Sequence, residues 1–192
     1  MDIQTEELVG RHVVLQAMRV DHREGILQAA QHPQIWTYMP APLDTMAQVD
    51  KMIGSALEAQ EQGLECPFVI VANDSGEIVG STRFLDMSQA HKSAEIGWTW
   101  LMPSVWRTPI NTECKYLLLK HCFETAGTIR VQLKTDARND RSQRAIERIG
   151  GVREGVLRRH RILHDGFIRD SVYYSILDSE WPTVKSNLEK LL

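Results

Sequence analysis

The chain has 192 residues, 43% of them hydrophobic and 24% charged, and a formal net charge of −3. That length suits one domain that buries a full core without disulfide or metal staples. No apolar run approaches the roughly 20 residues that a membrane span needs, and the acidic leader from Met1 to Glu7 has no signal-peptide core, so a cytoplasmic protein without a membrane partner is expected.

The cysteines are Cys66, Cys114 and Cys122, an odd number with no C-x-x-C pair. Neither a disulfide framework nor a metal site is expected. Charge is unevenly spread. Residues 130–170 hold eleven Lys/Arg against six Asp/Glu, a net of +5 that leaves −8 on the remainder. A basic quarter in an acidic chain points to a small anionic ligand. It does not point to a nucleic-acid partner, for which the whole domain would be basic.

In chain order, 11–18 reads as a strand. Residues 21–31 read as a helix, with Asp21 as a cap candidate and His32-Pro33 as its stop. Residues 45–62 carry Met46, Val49, Ile53 and Leu57 at helical spacing, with Gly63 beyond. Strands follow at 67–72, 77–85 and 91–101, the first two joined by Asn73-Asp74-Ser75-Gly76. An amphipathic helix is expected over 114–126, with Asn111 or Thr112 as its cap. Then come a strand at 130–135, a helix at 139–149 closed by Gly150-Gly151, strands at 152–157 and 167–176 around His164-Asp165-Gly166, and a last helix at 181–192. The three consecutive strands should form an antiparallel meander. The β-α-β step should make strands 91–101 and 130–135 parallel.

The chemistry-bearing stretch runs from Glu95 to Glu113: a strand, a short loop and a helix start. A helix start offers unpaired N–H groups and a positive dipole end, which suit a pyrophosphate. Arg107 adds charge beside it.

These residues resemble the GNAT superfamily of coenzyme A-dependent acetyltransferases, and most of all its branch of ribosomal-protein N-terminal acetyltransferases, the RimJ/RimL type. The resemblance covers nearly the whole chain and is densest from Glu95 to Gly151. It implies a mixed α+β fold: a mostly antiparallel twisted sheet of about seven strands, with a splayed parallel pair, flanked by helices. The family's pyrophosphate loop, Gln/Arg-x-x-Gly-x-Gly/Ala, is matched by Trp106-Arg107-Thr108-Pro109-Ile110-Asn111. The leading residue and both glycines differ, and Pro109 brings no N–H. Arg107, Thr108, Ile110, Asn111 and Thr112 are the implied pyrophosphate contacts. The family's Asn-x-x-Ser/Ala helix start is matched by Asn139-x-x-Ser142, with Asn139 implied to bind the pantetheine arm. The thiolate-protonating Tyr of many members is replaced by Ile146, and Ser142 matches the serine given that role in the RimL-like branch.

Trp100, Leu101 and Met102 match the strand whose backbone pairs with pantetheine, and a backbone N–H near Leu101 would polarise the carbonyl. Glu95 matches a position where several members carry a general base, with His91 and His160 as alternatives. Arg141, Arg144 and Lys115 are candidates for the coenzyme's 3′-phosphate. Trp36, Tyr38 and Phe84 are expected to line the acceptor pocket. The run Arg158-Arg159-His160-Arg161 is read as the solvated end of a strand. The implied activity is acetyl transfer from acetyl-CoA to a primary amine, either a protein N-terminus or a small molecule. The alternative is a CoA-sensing protein with weak or lost catalysis, to which Pro109 and Ile146 speak. The strands leave room for a homodimer.

Overall fold

In the computed structural model, which describes residues 3–192, helices cover both faces of an eight-stranded sheet. Met1 and Asp2 of the acidic leader lie outside the described residues. The elements are β1 (Glu7–Val9), β2 (Val13–Ala17), α1 (Arg23–Ala30), α2 (Met46–Glu61), β3 (Cys66–Ala72), β4 (Ile78–Ser88), β5 (Ser93–Leu101), α3 (Pro109–Lys120), β6 (Arg130–Asp136), α4 (Asp140–Arg148), β7 (Val152–Ile162), β8 (Ile168–Leu177) and α5 (Trp181–Glu189). The strand order is β1-β2-β3-β4-β5-β6-β8-β7. All pairs are antiparallel except β5–β6. The meander and the parallel step thus appear as the sequence implies. The strand beyond the expected seven is β1, whose three residues are too few to show an alternation.

Strand alternation sorts the core into two layers. Val13, Phe68, Phe84, Ala94, Ile96, Val131, Leu133, Tyr174 and Ile176 pack with residues of α3, α4 and α5. On the opposite face, Val69 and Trp100 pack with α1 and α2 through Ile26, Val49, Ile53 and Ala56. The start of α2 is fixed by a capping box: Thr45 Oγ1 accepts from the Gln48 N–H, and Gln48 Oε1 accepts from the Thr45 N–H at 2.8 Å. The start of α3 departs from expectation. Thr108, not Asn111 or Thr112, is the cap, and Pro109 occupies the first helical position. There its missing N–H is one that the helix leaves unpaired in any case. Past Lys120 the helix continues as one π turn over His121–Thr125.

The β5–β6 pair is short. Only Ser93↔Arg130, Ala94↔Val131 and Glu95↔Gln132 are in register, and beyond them the strands separate. Two causes are visible. On its other edge β5 shifts register against β4 between Ser81 and Arg83, and Trp98 sits in the left-handed region at φ 50°. This is a β-bulge, which bends a strand and increases its twist. In addition, β6 is held in full register by β8 from Arg130 to Asp136 and cannot follow. The result is a V-shaped opening whose β5 side is an unpaired strand edge.

The turn before α1 carries a pH-sensitive contact. His22 is buried and its Nδ1 accepts from the Arg19 N–H at 3.2 Å. Burial, and then Arg19, hold its pKa below 6.5. The unfolded chain therefore takes up this proton first as pH falls. Stability should be complete above about pH 6.5 and decline as pH drops below it towards the folded-state value. His160, also lowered, acts in the same window. Denaturant midpoints between pH 7 and 5 should fall for the native chain and fall less for His22→Gln, which keeps an acceptor that does not titrate. Equal slopes would remove His22 from the account.

Candidate active site

The open end of the splay brings together parts distant in sequence. Met102 N–H donates to Val79 O on β4 at 2.8 Å, so strand alternation turns the Leu101 amide and carbonyl towards the opening. The Leu101 carbonyl accepts from Trp106 Nε1 at 2.7 Å, which fixes the indole across the mouth. Trp100 itself is buried against Trp36, with ring centroids 5.3 Å apart, so its side chain belongs to the α1/α2 core. Met102 is half-buried at the end of β5.

Beside this edge lies the start of α3. Arg107 takes φ 64° and Thr108 caps the first turn, which leaves the Thr108 and Asn111 N–H groups without helical partners. Ile110 is buried and anchors the turn in the core. Thr112 is buried too, and its Oγ1 accepts from Arg148 Nη2 at 2.7 Å, a tie between α3 and α4. Arg141 lies over the Trp106 ring at 3.7 Å. Its pKa is lowered, chiefly by burial and further by Arg107. Two cations and a helix N-terminus thus share one mouth, with Arg144 exposed one turn further along α4. Lys115 does not join them. It turns inward, 7% exposed, and donates to Thr99 Oγ1, and burial lowers its pKa. The expectation that it meets a 3′-phosphate is corrected on that ground.

On the β6 side, Asn139 caps α4 by accepting from the Ser142 N–H at 3.0 Å. Its Nδ2 has no partner among the described residues, so one half of the amide is structural and the other is free. The Ser142 side chain is half-buried next to it. A cleft of about 390 Å³ between these parts is lined by Gln34, Thr37, Tyr38, Trp106, Arg138, Asn139, Asp140 and Arg141. An open depression of about 860 Å³ lies over β7, lined by residues 156–160 and Asp170.

Glu95 sits in the throat, 1% exposed. Its Oε2 accepts from Gln132 Nε2 at 2.7 Å and from Lys134 Nζ at 2.8 Å. It is neither a surface residue nor paired with Lys92. Oε1 faces Gly97, where a Cβ would come within 3.0 Å of it. Next to this pair, the Lys134 ammonium lies over Tyr173, and Tyr173 in turn contacts His160, whose Nδ1 is 2.9 Å from Ser171 Oγ. His160 is the one residue of its basic run that turns inward. The run occupies the exposed final stretch of β7, which ends at Ile162, as expected of a solvated strand end, and a bulge lies within it where Arg159 has φ 52°.

Of the expected acceptor residues, Tyr38 lines the cleft. Trp36 is a core anchor whose Nε1 donates to Ala30 O at 3.0 Å. Phe84 is fully buried between Phe68 and His121. A strand's inner face and a pocket wall look alike in sequence, which is why Phe84 was placed there. Among the described residues no group of three or more His, Cys, Asp or Glu is placed to hold a metal, and no helix is long and apolar enough to cross a membrane.

The family model described as acetyltransferase (GNAT) domain matches residues 12–152, which span β2 to the start of β7 and both helix starts at the splay. The chain belongs to the GNAT acetyltransferase family. It is 25% identical to the uncharacterized N-acetyltransferase YoaA of Bacillus subtilis strain 168, over 91% of this chain and 96% of that one. It is 23% identical to the ribosomal-protein-serine acetyltransferase of Escherichia coli strain K12, over 90% and 97% respectively. The crystal structure of a GCN5-related N-acetyltransferase from Brucella melitensis superposes with a TM-score of 0.89 at 26% identity, covering 96% of this chain and 84% of that one. These relatives agree with the RimJ/RimL-like resemblance. GNAT enzymes use acetyl-CoA, and the parts named above fit that coenzyme. The cationic mouth and helix start suit a pyrophosphate, and the free strand edge and the Asn139 amide suit the pantetheine amides.

The two halves of Asn139 can be tested apart. Asn139→Ala removes both the cap, worth about 1 kcal/mol, and the free donor. Asn139→Asp keeps the cap alone. Calorimetry should show weaker CoA binding in both variants, about tenfold for Asn139→Ala. Unchanged affinity in Asn139→Asp would limit the residue to capping.

Proposed function

We propose that this GNAT member transfers an acetyl group from acetyl-CoA to a primary amine by direct attack in a ternary complex. The observation that carries the reading is the convergence at the β5–β6 splay of a free strand edge, the Arg107/Arg141-flanked helix start and the half-free Asn139 amide. The thioester carbonyl would lie along β5 with the Leu101 N–H as its polarising donor. The acceptor amine would enter over Gly97. Glu95 would take its proton on Oε1, directly or through water, while Gln132 and Lys134 hold the other oxygen. A protein α-amine, with an ordinary pKa of about 7.7–8.0, needs less help than a lysine near 10.4. That favours an N-terminal acceptor, in line with the ribosomal-protein name of one relative. The Ser142 hydroxyl would protonate the departing thiolate, because Ile146 at the alternative position is apolar and buried.

Turnover is tested by CoA thiol release with acetyl-CoA and a panel of peptide and small amines. Release that depends on amine supports the reading. Acetyl-CoA binding with no release across the panel would favour the second reading, a CoA-sensing protein, which Pro109 and Ile146 support.

A further inference from the structure

Two arginines on the acceptor side of the sheet stand in an arrangement that costs stability. Arg161 on β7 and Arg169 on β8 are direct cross-strand partners, so their side chains leave the same face. Like charges directly opposite each other destabilise a sheet. Neither forms an ion pair within 4.0 Å among the described residues. Arg169 is 8% exposed, and its partners are neutral: Nε donates to Ser171 Oγ at 2.9 Å and Nη1 reaches Tyr38 O at 3.5 Å. The carboxylate that faces it, Asp136, is already taken. Arg138 donates to it from its backbone N, Nε and Nη2 at 2.9, 3.0 and 2.8 Å. Burial draws the Arg169 pKa down and Arg161 adds to it, while Asp136 and, less strongly, Tyr173 and Glu95 offset part of this from beyond ion-pair distance. A buried cation without an anion is costly unless something pairs with it.

The pair is also placed to meet an acceptor. Ser171, which accepts from Arg169, also contacts His160, and His160 leads through Tyr173 and Lys134 to Glu95. From Arg169 to Tyr173 along β8 is four residues, roughly 13 Å at 3.3 Å per residue. The carbonyl of Tyr38, which lines the cleft, contacts the same guanidinium. Arginine forks suit carboxylates. An extended peptide advances about 3.3–3.6 Å per residue, so its second and third side chains reach from the throat towards Arg161 and Arg169.

We infer that Arg161 and Arg169 form a carboxylate subsite that selects peptide acceptors with Asp or Glu at the second or third position after the reacting amine. The inference rests on the acetyl-transfer reading, but its test does not need turnover. The peptides Ala-Glu-Glu-Ala-amide and Ala-Gln-Gln-Ala-amide are titrated calorimetrically into the full chain saturated with CoA. The acidic peptide should bind about tenfold more tightly, with a preference that shrinks as salt rises. Arg161→Gln, a substitution at an exposed side chain, should bring the two affinities within about twofold of each other and leave the neutral peptide unchanged. Arg169→Gln should do the same if it folds, and Arg161→Gln decides if it does not. Equal binding of the two peptides, no binding of either at millimolar concentration, or a preference that survives Arg161→Gln would each overturn the subsite. Failure of acetyl transfer with a binding preference intact would count against the transfer reading alone.

Discussion

Glu95→Gln should lower kcat for acetyl transfer by roughly 10²- to 10³-fold, the range expected for loss of a positioned general base, while acetyl-CoA affinity changes by less than about twofold. The amide keeps the size of the side chain and still accepts from Lys134 Nζ or Gln132 Nε2, but it no longer takes a proton. The throat stays shaped as before, because Gly97 leaves space for an amide as well as for a carboxylate. Some stability should be lost too, since Lys134, 15% exposed at its side chain, then has the 3.8 Å contact to Asp86 as its one remaining ion pair. The assay therefore belongs well below the unfolding temperature of the variant. A lowered melting temperature with kcat unchanged would make Glu95 a structural partner of Lys134 and direct attention to His160.

The second large effect concerns folding. Glu113 on α3 is 4% exposed, and its carboxylate accepts from three successive backbone N–H groups, Arg11 and Val13 at 2.8 and 2.9 Å and His12 between them. Gly10 passes so close that a Cβ there would lie 2.6 Å from the carboxylate. This one side chain closes the β1–β2 turn onto the second turn of α3. Glu113→Leu would leave the three donors unsatisfied, at about 1–3 kcal/mol each where water does not reach them. The expected loss is roughly 3–5 kcal/mol, a fall of roughly 10 °C in Tm for a chain of this size. Because the preceding turn of α3 supplies the Thr108 and Asn111 amides, acetyl-CoA should also protect the variant less against heat than it protects the native chain. A Tm within about 2 °C of native would show that water replaces the carboxylate and that the clamp is not needed.

The sequence announces the elements with strong periodicity and misses those whose signals are short. α2 carries Val49, Ile53 and Ala56 at helical spacing behind a Thr45 cap, and it lies within a residue of its expected bounds. In α3 the apolar run from Cys114 is a stronger signal than the Thr108-Pro109 cap, so periodicity places the helix start more than one turn late. The splay follows from the β-α-β order, but its cause, a bulge at Trp98, leaves no mark that side-chain identity reveals. Asn139 and Glu95 stand out in the sequence because their spacing from the strand and helix ends matches a family pattern, and the fold places one at the start of α4 and the other in the throat. Trp36 and Phe84 lie in the core, where the sequence suggests an acceptor pocket, because aromatic residues near a cleft and in a core look alike in sequence and only burial distinguishes them. Arg169 went unremarked, although 161 and 169 lie symmetrically about Asp165 in the hairpin turn, and that symmetry makes them cross-strand partners. The signal becomes meaningful only in the fold, where Arg169 is buried and has no ion pair within 4.0 Å among the described residues.

The β5–β6 splay should bind coenzyme A despite its altered pyrophosphate loop. This is tested most directly by calorimetric titration of the full chain with acetyl-CoA and with CoA. One site per chain is expected, with a Kd in the micromolar range, near −8 kcal/mol, weakened severalfold in Arg107→Ala and Arg141→Ala. No binding of either ligand at millimolar concentration would contradict it.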